Sequence, residues 1–112
     1  MQKHNEAGRE HYMKREQIAK NIVADLKELA ALTSDADGAQ RVAWKPTFKK
    51  ATEWFTQKMQ AAGADVWTDA AGNSWAKFAG ESKECIVIGS HLDSVPDGGW
   101  LDGALGVVAG MG

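Results

Sequence analysis

The stretch GSHLDSVPDGGWLDGALG, residues 89–106, places one imidazole and three carboxylates in a glycine-rich segment directly after an apolar run. His91 and Asp93 are two positions apart, so on an extended backbone their side chains leave on the same side. Asp102 follows a double glycine, which allows the backbone to double back. A His-x-Asp pair, a Gly-Gly pair and an Asp-Gly pair within a dozen residues together predict a metal site at a strand-to-helix junction.

The expected roles of these side chains follow from metal chemistry. Imidazole and carboxylate are common ligands of zinc, manganese, cobalt and nickel. We expect His91 and Asp102 to bind a divalent ion directly. We assign Asp93 the catalytic role of fixing the tautomer of His91, because a metal-bound imidazole usually donates its other ring N–H to a carboxylate or carbonyl. If both ligands bind one zinc-like ion, their ligating atoms should lie about 3 to 3.5 Å apart.

Upstream of this run, apolar residues recur at helical spacing in two segments. The first extends from about residue 9 to residue 32 and carries the stripe Ile18, Ile22, Leu26 and Leu29. A stretch rich in turn formers at 33–38 closes it. The second helix is expected to begin near Pro46 and to be capped by Gly63, with a stripe of Phe48, Ala51, Phe55, Met59 and Ala62.

Strand patterns follow the second helix. Residues 66–69 and 74–78 predict a β-hairpin, in which a turn is an adequate explanation for Asp69 and Asn73, with a bulge or an early end near residue 79. The uninterrupted apolar run at 86–88 predicts a central strand covered on both faces, and Cys85 beside it is expected to be a small buried hydrophobe. Two helices, a hairpin, a central strand and the start of a further helix indicate an α/β layer architecture.

The composition and charge of the chain limit which partners and which compartment we expect. The chain has 112 residues, 13 basic and 15 acidic side chains and a formal net charge of -2, which predicts neither nucleic acid nor an anionic membrane surface as a partner. No apolar stretch approaches the ~18 residues of a membrane span. One cysteine and a polar N-terminus favour a reducing compartment, and we expect a cytoplasmic protein.

The run at 89–107 resembles the first metal-binding motif of the M20 metallopeptidase superfamily. More narrowly, it resembles the hydantoinase and carbamoylase branch, which holds N-carbamoyl-L-amino-acid hydrolases, allantoate amidohydrolases and beta-ureidopropionases. The resemblance extends upstream through Gln-Arg at 40–41, the helix end at 59–63 and the segment 69–73. It therefore covers most of the chain.

The resemblance implies that residues 1–112 are an incomplete N-terminal portion of a dinuclear metallohydrolase catalytic domain with a three-layer α/β/α, zinc-exopeptidase-like fold. It implies two divalent ions (Zn, Mn, Co or Ni), with His91 ligating one ion, Asp102 bridging both and Asp93 steadying His91. In the family the general-base glutamate and the remaining ligands come later, so we expect these residues alone to be inactive. Trp100 and Leu101 depart from the family pattern, and substrate-binding residues stay unassigned.

The favoured function is hydrolysis of a C–N bond in N-carbamoyl amino acids or ureido compounds such as allantoate by a metal-activated water. The substrate would be a small molecule, and the full-length protein is expected to be a homodimer. One alternative is an M20 peptidase acting on peptides, although the Gly-Gly spacing and the segment 69–73 lean against it. The other alternative is a truncated, non-catalytic fragment that associates with itself through an open sheet edge and its last apolar helix.

Overall fold

A computed structural model describes residues 2–112, with side chains from residue 8 onward. The elements in chain order are α1 (Gln2–Thr33), β1 (Ser34–Asp35), β2 (Gly38–Ala39), α2 (Pro46–Ala61), β3 (Asp65–Thr68), β4 (Ser74–Lys77) and α3 (Ala104–Met111). The strands form two separate two-stranded antiparallel sheets, β1 with β2 and β3 with β4. The predicted helices and hairpin are confirmed, and the described chain is a small α/β structure.

Helix α1 is longer than predicted, and its apolar stripe is buried only towards its C-terminal end. Leu26 and Leu29 are 4% and 1% exposed, Ile22 is partly buried, and Ile18 is 42% exposed. Burial is restricted because α2 and α3 pack against only part of this 32-residue helix. None of the helices in the described part of the chain is both long and apolar enough to cross a membrane.

Helix α2 begins and ends where the sequence predicts. Pro46 occupies the first turn, where its missing N–H costs no helical hydrogen bond. At the other end Gly63 adopts a φ of 93°, the Gly63 amide donates to the Gln60 carbonyl at 3.0 Å, and the Ala64 amide donates to the Met59 carbonyl at 3.0 Å. This pair of bonds is a Schellman motif, which requires a residue that tolerates positive φ.

The buried core joins the three helices to the glycine-rich run. Its members are Leu26 and Leu29 of α1, Ala51 and Trp54 of α2, Ala104 and Val108 of α3, and Leu92. Leu92 lies between the two predicted site residues His91 and Asp93. The site loop is therefore attached to the helical core by its own apolar side chain.

The hairpin of β3 and β4 has the predicted position and ends at Lys77, which confirms the early end. Trp67 lies opposite Trp75, and their rings stack with centroids 6.1 Å apart and an interplanar angle of 9°. Asp69 organises the turn: its carboxylate accepts bonds from the amides of Ala71 and Asn73, from the Asn73 side chain and from the Trp75 indole. The turn interpretation of Asp69 and Asn73 is thus confirmed.

These bonds to the ionised carboxylate, above all those from the Trp75 indole and the Asn73 side chain, lower the pKa of Asp69 to about 2. A depressed folded-state pKa contributes stability above the unfolded value, and that contribution is lost as the pH falls through the folded value. We expect the Trp67–Trp75 stack to begin to weaken as the pH falls below the ordinary value of 3.8 and to lose this support by about pH 2. Near-ultraviolet circular dichroism against pH measures it.

An Asp69→Asn variant should weaken the stack at neutral pH and flatten its acid transition, because the amide loses the charge that the donors face. Asp65→Asn, in the same hairpin, removes an equal charge and is the matched control. An acid transition that survives in Asp69→Asn would show that another group controls the hairpin.

The central strand predicted at 86–88 is wrong for this structure. Ile86, Val87 and Ile88 are 93%, 67% and 69% exposed, and no strand is assigned to them. Cys85, predicted to be buried, is exposed as well. An apolar run becomes a buried strand only when neighbouring strands accept its backbone hydrogen bonds, and the described residues supply none.

Candidate metal centre

In the loop that follows the exposed residues 86–88, buried and accessible side chains alternate. Leu92 and Ser94 are buried, whereas the side chains of His91 and Asp93 are 52% and 46% exposed. This alternation puts His91 and Asp93 on the same side, as their spacing predicts. His91 Nδ1 lies 3.3 Å from Asp93 Oδ1 and 3.1 Å from the Asp93 carbonyl oxygen.

Both atoms beside His91 Nδ1 are acceptors, and each lies closer to Nδ1 than Asp102 Oδ2 lies to Nε2. With the hydrogen on Nδ1, the lone pair of the imidazole would be on Nε2, which is the arrangement expected of a metal-binding histidine. Nε2 is the ring nitrogen that faces Asp102.

Asp102 returns to the same point from the far end of the loop. Its Oδ2 lies 3.9 Å from His91 Nε2, and its side chain is 73% exposed. The separation is longer than the expected 3 to 3.5 Å, yet two bonds of about 2.0 to 2.2 Å can span up to about 4.3 Å. Only a nearly linear N–metal–O arrangement reaches that limit, so one imidazole nitrogen and one carboxylate oxygen, both accessible, converge here at a separation wider than the predicted one.

Gly103 makes this approach possible. Its φ is 68°, and a Cβ built on it would lie 2.5 Å from both Cε1 and Nδ1 of His91 and would also strike the His91 carbonyl oxygen. Gly106, one turn on, has Ser90 similarly close, with the built Cβ 2.7 Å from the Ser90 Cβ. Both glycines thus allow close approach at the start of α3.

Residues 39–41, which are the end of β2 and the two residues after it, hold the loop by hydrogen bonds. Ala39 and Gly98 exchange backbone hydrogen bonds at 2.8 and 3.0 Å, and the Ser94 amide donates to the Arg41 carbonyl at 2.8 Å. The Arg41 side chain is fully buried, and its Nε donates to the Leu92 carbonyl at 2.6 Å. In the sequence, Arg41 stands out only as part of the family resemblance, because nothing local indicates a contact 51 positions away.

Arg41 is also electrostatically linked to the site. Burial lowers the pKa of the guanidinium below its ordinary value, and the negative charges of Asp102 and Asp93 act in the opposite direction. An arginine stays protonated despite such a shift. A buried positive charge therefore lies within electrostatic range of two of the three site residues.

A second acidic group, which the sequence did not predict, lies around Gln40. Carboxylate oxygens of Asp35, Asp37 and Asp97 lie within 4.8 Å of one another, and all three residues are exposed. Gln40 Nε2 donates to Asp35 Oδ1 at 2.9 Å and to Asp97 Oδ1 at 2.7 Å, and its bond is the main cause of a lowered pKa of Asp35. Hydrogen bonding by Gln40 thus accounts for the proximity of Asp35 and Asp97.

Several known proteins are similar in sequence to this chain. The N-carbamoyl-L-amino-acid amidohydrolase of Paenarthrobacter aurescens is 35% identical over 95 residues, which is 83% of this chain and 23% of that protein. Allantoate deiminase 1 of Glycine max is 39% identical over 92 residues, 80% of this chain and 19% of that protein. The chain spans about a fifth of the length of the curated relatives it matches. No family model matches it.

Comparison of the fold with solved structures finds the same kind of protein. The crystal structure of a hydantoinase/carbamoylase family amidase from Burkholderia ambifaria superposes with a TM-score of 0.77 and 33% identity, over 80% of this chain and 23% of that one. Sequence and structure thus both point to one class of protein, the amidohydrolases. Within it, the chain matches longer members of the hydantoinase/carbamoylase family as a fragment.

Proposed function

We propose that this chain supplies the first metal ligands of an amidohydrolase that cleaves the C–N bond of N-carbamoyl amino acids or of ureido compounds such as allantoate. The observation that carries the proposal is the convergence of His91 Nε2 and Asp102 Oδ2, 3.9 Å apart, in a chain whose relatives are named for these reactions. Those names favour a carbamoyl or ureido substrate over a peptide.

His91 and Asp102 would hold a divalent ion, with Asp102 shared between two such ions in the complete site. A bound divalent ion supplies a Lewis acid for the carbonyl and lowers the pKa of a water to make it a nucleophile. Asp93 keeps the hydrogen of His91 on Nδ1, so that Nε2 presents its lone pair. Gly103 keeps the space beneath the imidazole ring free for this orientation.

The ligand assignment is tested by titration calorimetry of the chain with Mn²⁺ and with Zn²⁺. His91→Ala and Asp102→Asn should each weaken the affinity at least about tenfold, because each removes a direct ligand. His11→Ala, an exposed histidine on α1, is the matched control and should leave the affinity unchanged. Equal affinities for the parent and His91→Ala would remove the assignment.

The substrate class is tested in a chimera in which this chain replaces the matching segment of the Paenarthrobacter aurescens relative. We expect it to hydrolyse N-carbamoyl amino acids or allantoate and to leave dipeptides intact, and we expect His91→Ala to reduce its turnover at least about 100-fold. Preferential hydrolysis of dipeptides would contradict the proposal.

A further inference from the structure

Arg41 is unusual among the side chains that the structure describes, since it is the one charged residue that is fully buried. Its Nε donates to the Leu92 carbonyl at 2.6 Å, and its Nη1 lies 3.4 Å from Thr33 Oγ1. Thr33 in turn donates to the Leu29 carbonyl at 2.7 Å. A continuous set of hydrogen bonds therefore connects the end of α1 to the peptide between His91 and Asp93.

The Arg41 backbone holds the same loop a second time. Its amide donates to Ser94 Oγ at 3.0 Å, and its carbonyl accepts from the Ser94 amide at 2.8 Å. Ser94 Oγ also lies 3.2 Å from the Ala39 carbonyl, to which it can donate. Side chain and backbone together fix the two buried positions, Leu92 and Ser94, that flank Asp93.

A purely structural role does not account well for the charge. Removing a guanidinium from water is costly, and a buried apolar residue of similar size is often equally stabilising. The Nη2 nitrogen is buried without a hydrogen-bond partner among the described residues, which adds to that cost. The negative charges that act on the Arg41 guanidinium are the carboxylates of Asp93 and Asp102.

We propose that Arg41 is a positioning residue for the metal ligands. Its Nε–H fixes the Leu92 peptide so that His91 and Asp93 face the site, and its charge offsets the repulsion between the carboxylates of Asp93 and Asp102 on either side of the imidazole. The proposal rests on the proposed function, because it gives Arg41 a role toward the same ligand pair. Residues that orient metal ligands in this way typically contribute about 10- to 100-fold to metal affinity.

The test compares Arg41→Met, Arg41→Lys and Ser94→Ala with the parent chain. Three quantities are measured: Mn²⁺ affinity by calorimetry, hydrogen exchange of the amide at residue 94, and the thermal melting midpoint. Arg41→Met should weaken Mn²⁺ binding at least about tenfold and speed exchange at residue 94 by a similar factor. Arg41→Lys keeps the charge without the Nε–H bond and should recover part of the affinity.

Ser94→Ala is the control for simple loosening of the loop, because it removes one anchor and leaves the guanidinium in place. Ser94→Ala should speed hydrogen exchange at residue 94. Its Mn²⁺ affinity should stay within about threefold of the parent value, which is a smaller loss than that caused by altering a residue that orients a metal ligand. Affinity losses that follow the melting midpoint alike in Arg41→Met and Ser94→Ala, with no recovery in Arg41→Lys, would overturn the proposal. So would an Arg41→Met variant that matches the parent in affinity and exchange.

Two further outcomes of these measurements also bear on the role of Arg41. If Arg41→Met does not melt cooperatively, Arg41→Lys alone decides, and parent-like affinity and exchange in that variant would overturn the role of Arg41. If the parent chain binds Mn²⁺ no better than His91→Ala, the metal assignment fails by itself. Exchange at residue 94 then still decides whether Arg41 holds the loop, and an unchanged rate in Arg41→Met overturns it.

Discussion

Replacing Gly103 by alanine is expected to weaken Mn²⁺ binding at least about tenfold and to lower the free energy of unfolding by about 1 to 3 kcal/mol. Two physical effects add. A φ of 68° is a backbone conformation that alanine adopts only under strain, and the new methyl group would lie 2.5 Å from two atoms of the His91 ring. The imidazole must then rotate away from Asp102, or the start of α3 must move.

Calorimetry and urea unfolding measure the two effects separately. Gly99→Ala is the matched control in the same loop, because its Cβ would meet nothing closer than the Asp102 Cβ at 4.0 Å and its φ is not positive. We expect the control to change both quantities little. Parent-like Mn²⁺ affinity in Gly103→Ala would mean that the position of the His91 ring does not limit binding.

What the sequence predicted well is local in origin. The ends of α2 follow from Pro46 and Gly63, whose backbone preferences act within one helical turn. The hairpin follows from a turn whose donors lie within six positions of Asp69. The shared side of His91 and Asp93 follows from the two-residue period of an extended backbone. In each case the residues that decide the structure are neighbours in the chain.

What the sequence did not predict depends on residues far apart. The Arg41 side chain meets the Leu92 carbonyl across 51 positions, and Gln40 meets Asp97 across 57. No periodicity or turn preference encodes such a pair, because its energy arises only after the backbone has brought both ends together. The same reason explains the failure at 86–88, since the burial of a strand is decided by its neighbours and not by its own composition.

The site itself divides in the same way. Residue type and spacing were enough to propose metal ligands, because imidazole and carboxylate are the groups that such ions accept. The contacts that hold the site loop could not be predicted from the sequence. They come from the buried Arg41 guanidinium, which lies on a segment that resembles an ordinary connection between two helices. Local chemistry thus predicted His91 and Asp102 as ligands, the structure brings their side chains to 3.9 Å, and tertiary packing adds Arg41.

The contrast between Leu92 and Ile86 gives the second large expected effect. Leu92 is 9% exposed and packs in the core that joins the three helices, whereas Ile86 is 93% exposed. Leu92→Ala should therefore lower the free energy of unfolding of this chain by about 2 to 5 kcal/mol, since it leaves a cavity where α1, α2 and α3 meet. Ile86→Ala should change it by no more than about 0.5 kcal/mol.

Urea unfolding of the two variants and the parent, followed by far-ultraviolet circular dichroism, makes the comparison. Both substitutions remove a comparable apolar side chain from the same stretch of sequence, so each serves as the control of the other. A loss of several kcal/mol in Ile86→Ala would mean that residues 86–88 form the buried strand that their composition predicts. A small effect in Leu92→Ala would mean that the site loop is not attached to the core. The geometry of His91 and Asp93 would then depend on Arg41 and the backbone bonds to Ser94 alone.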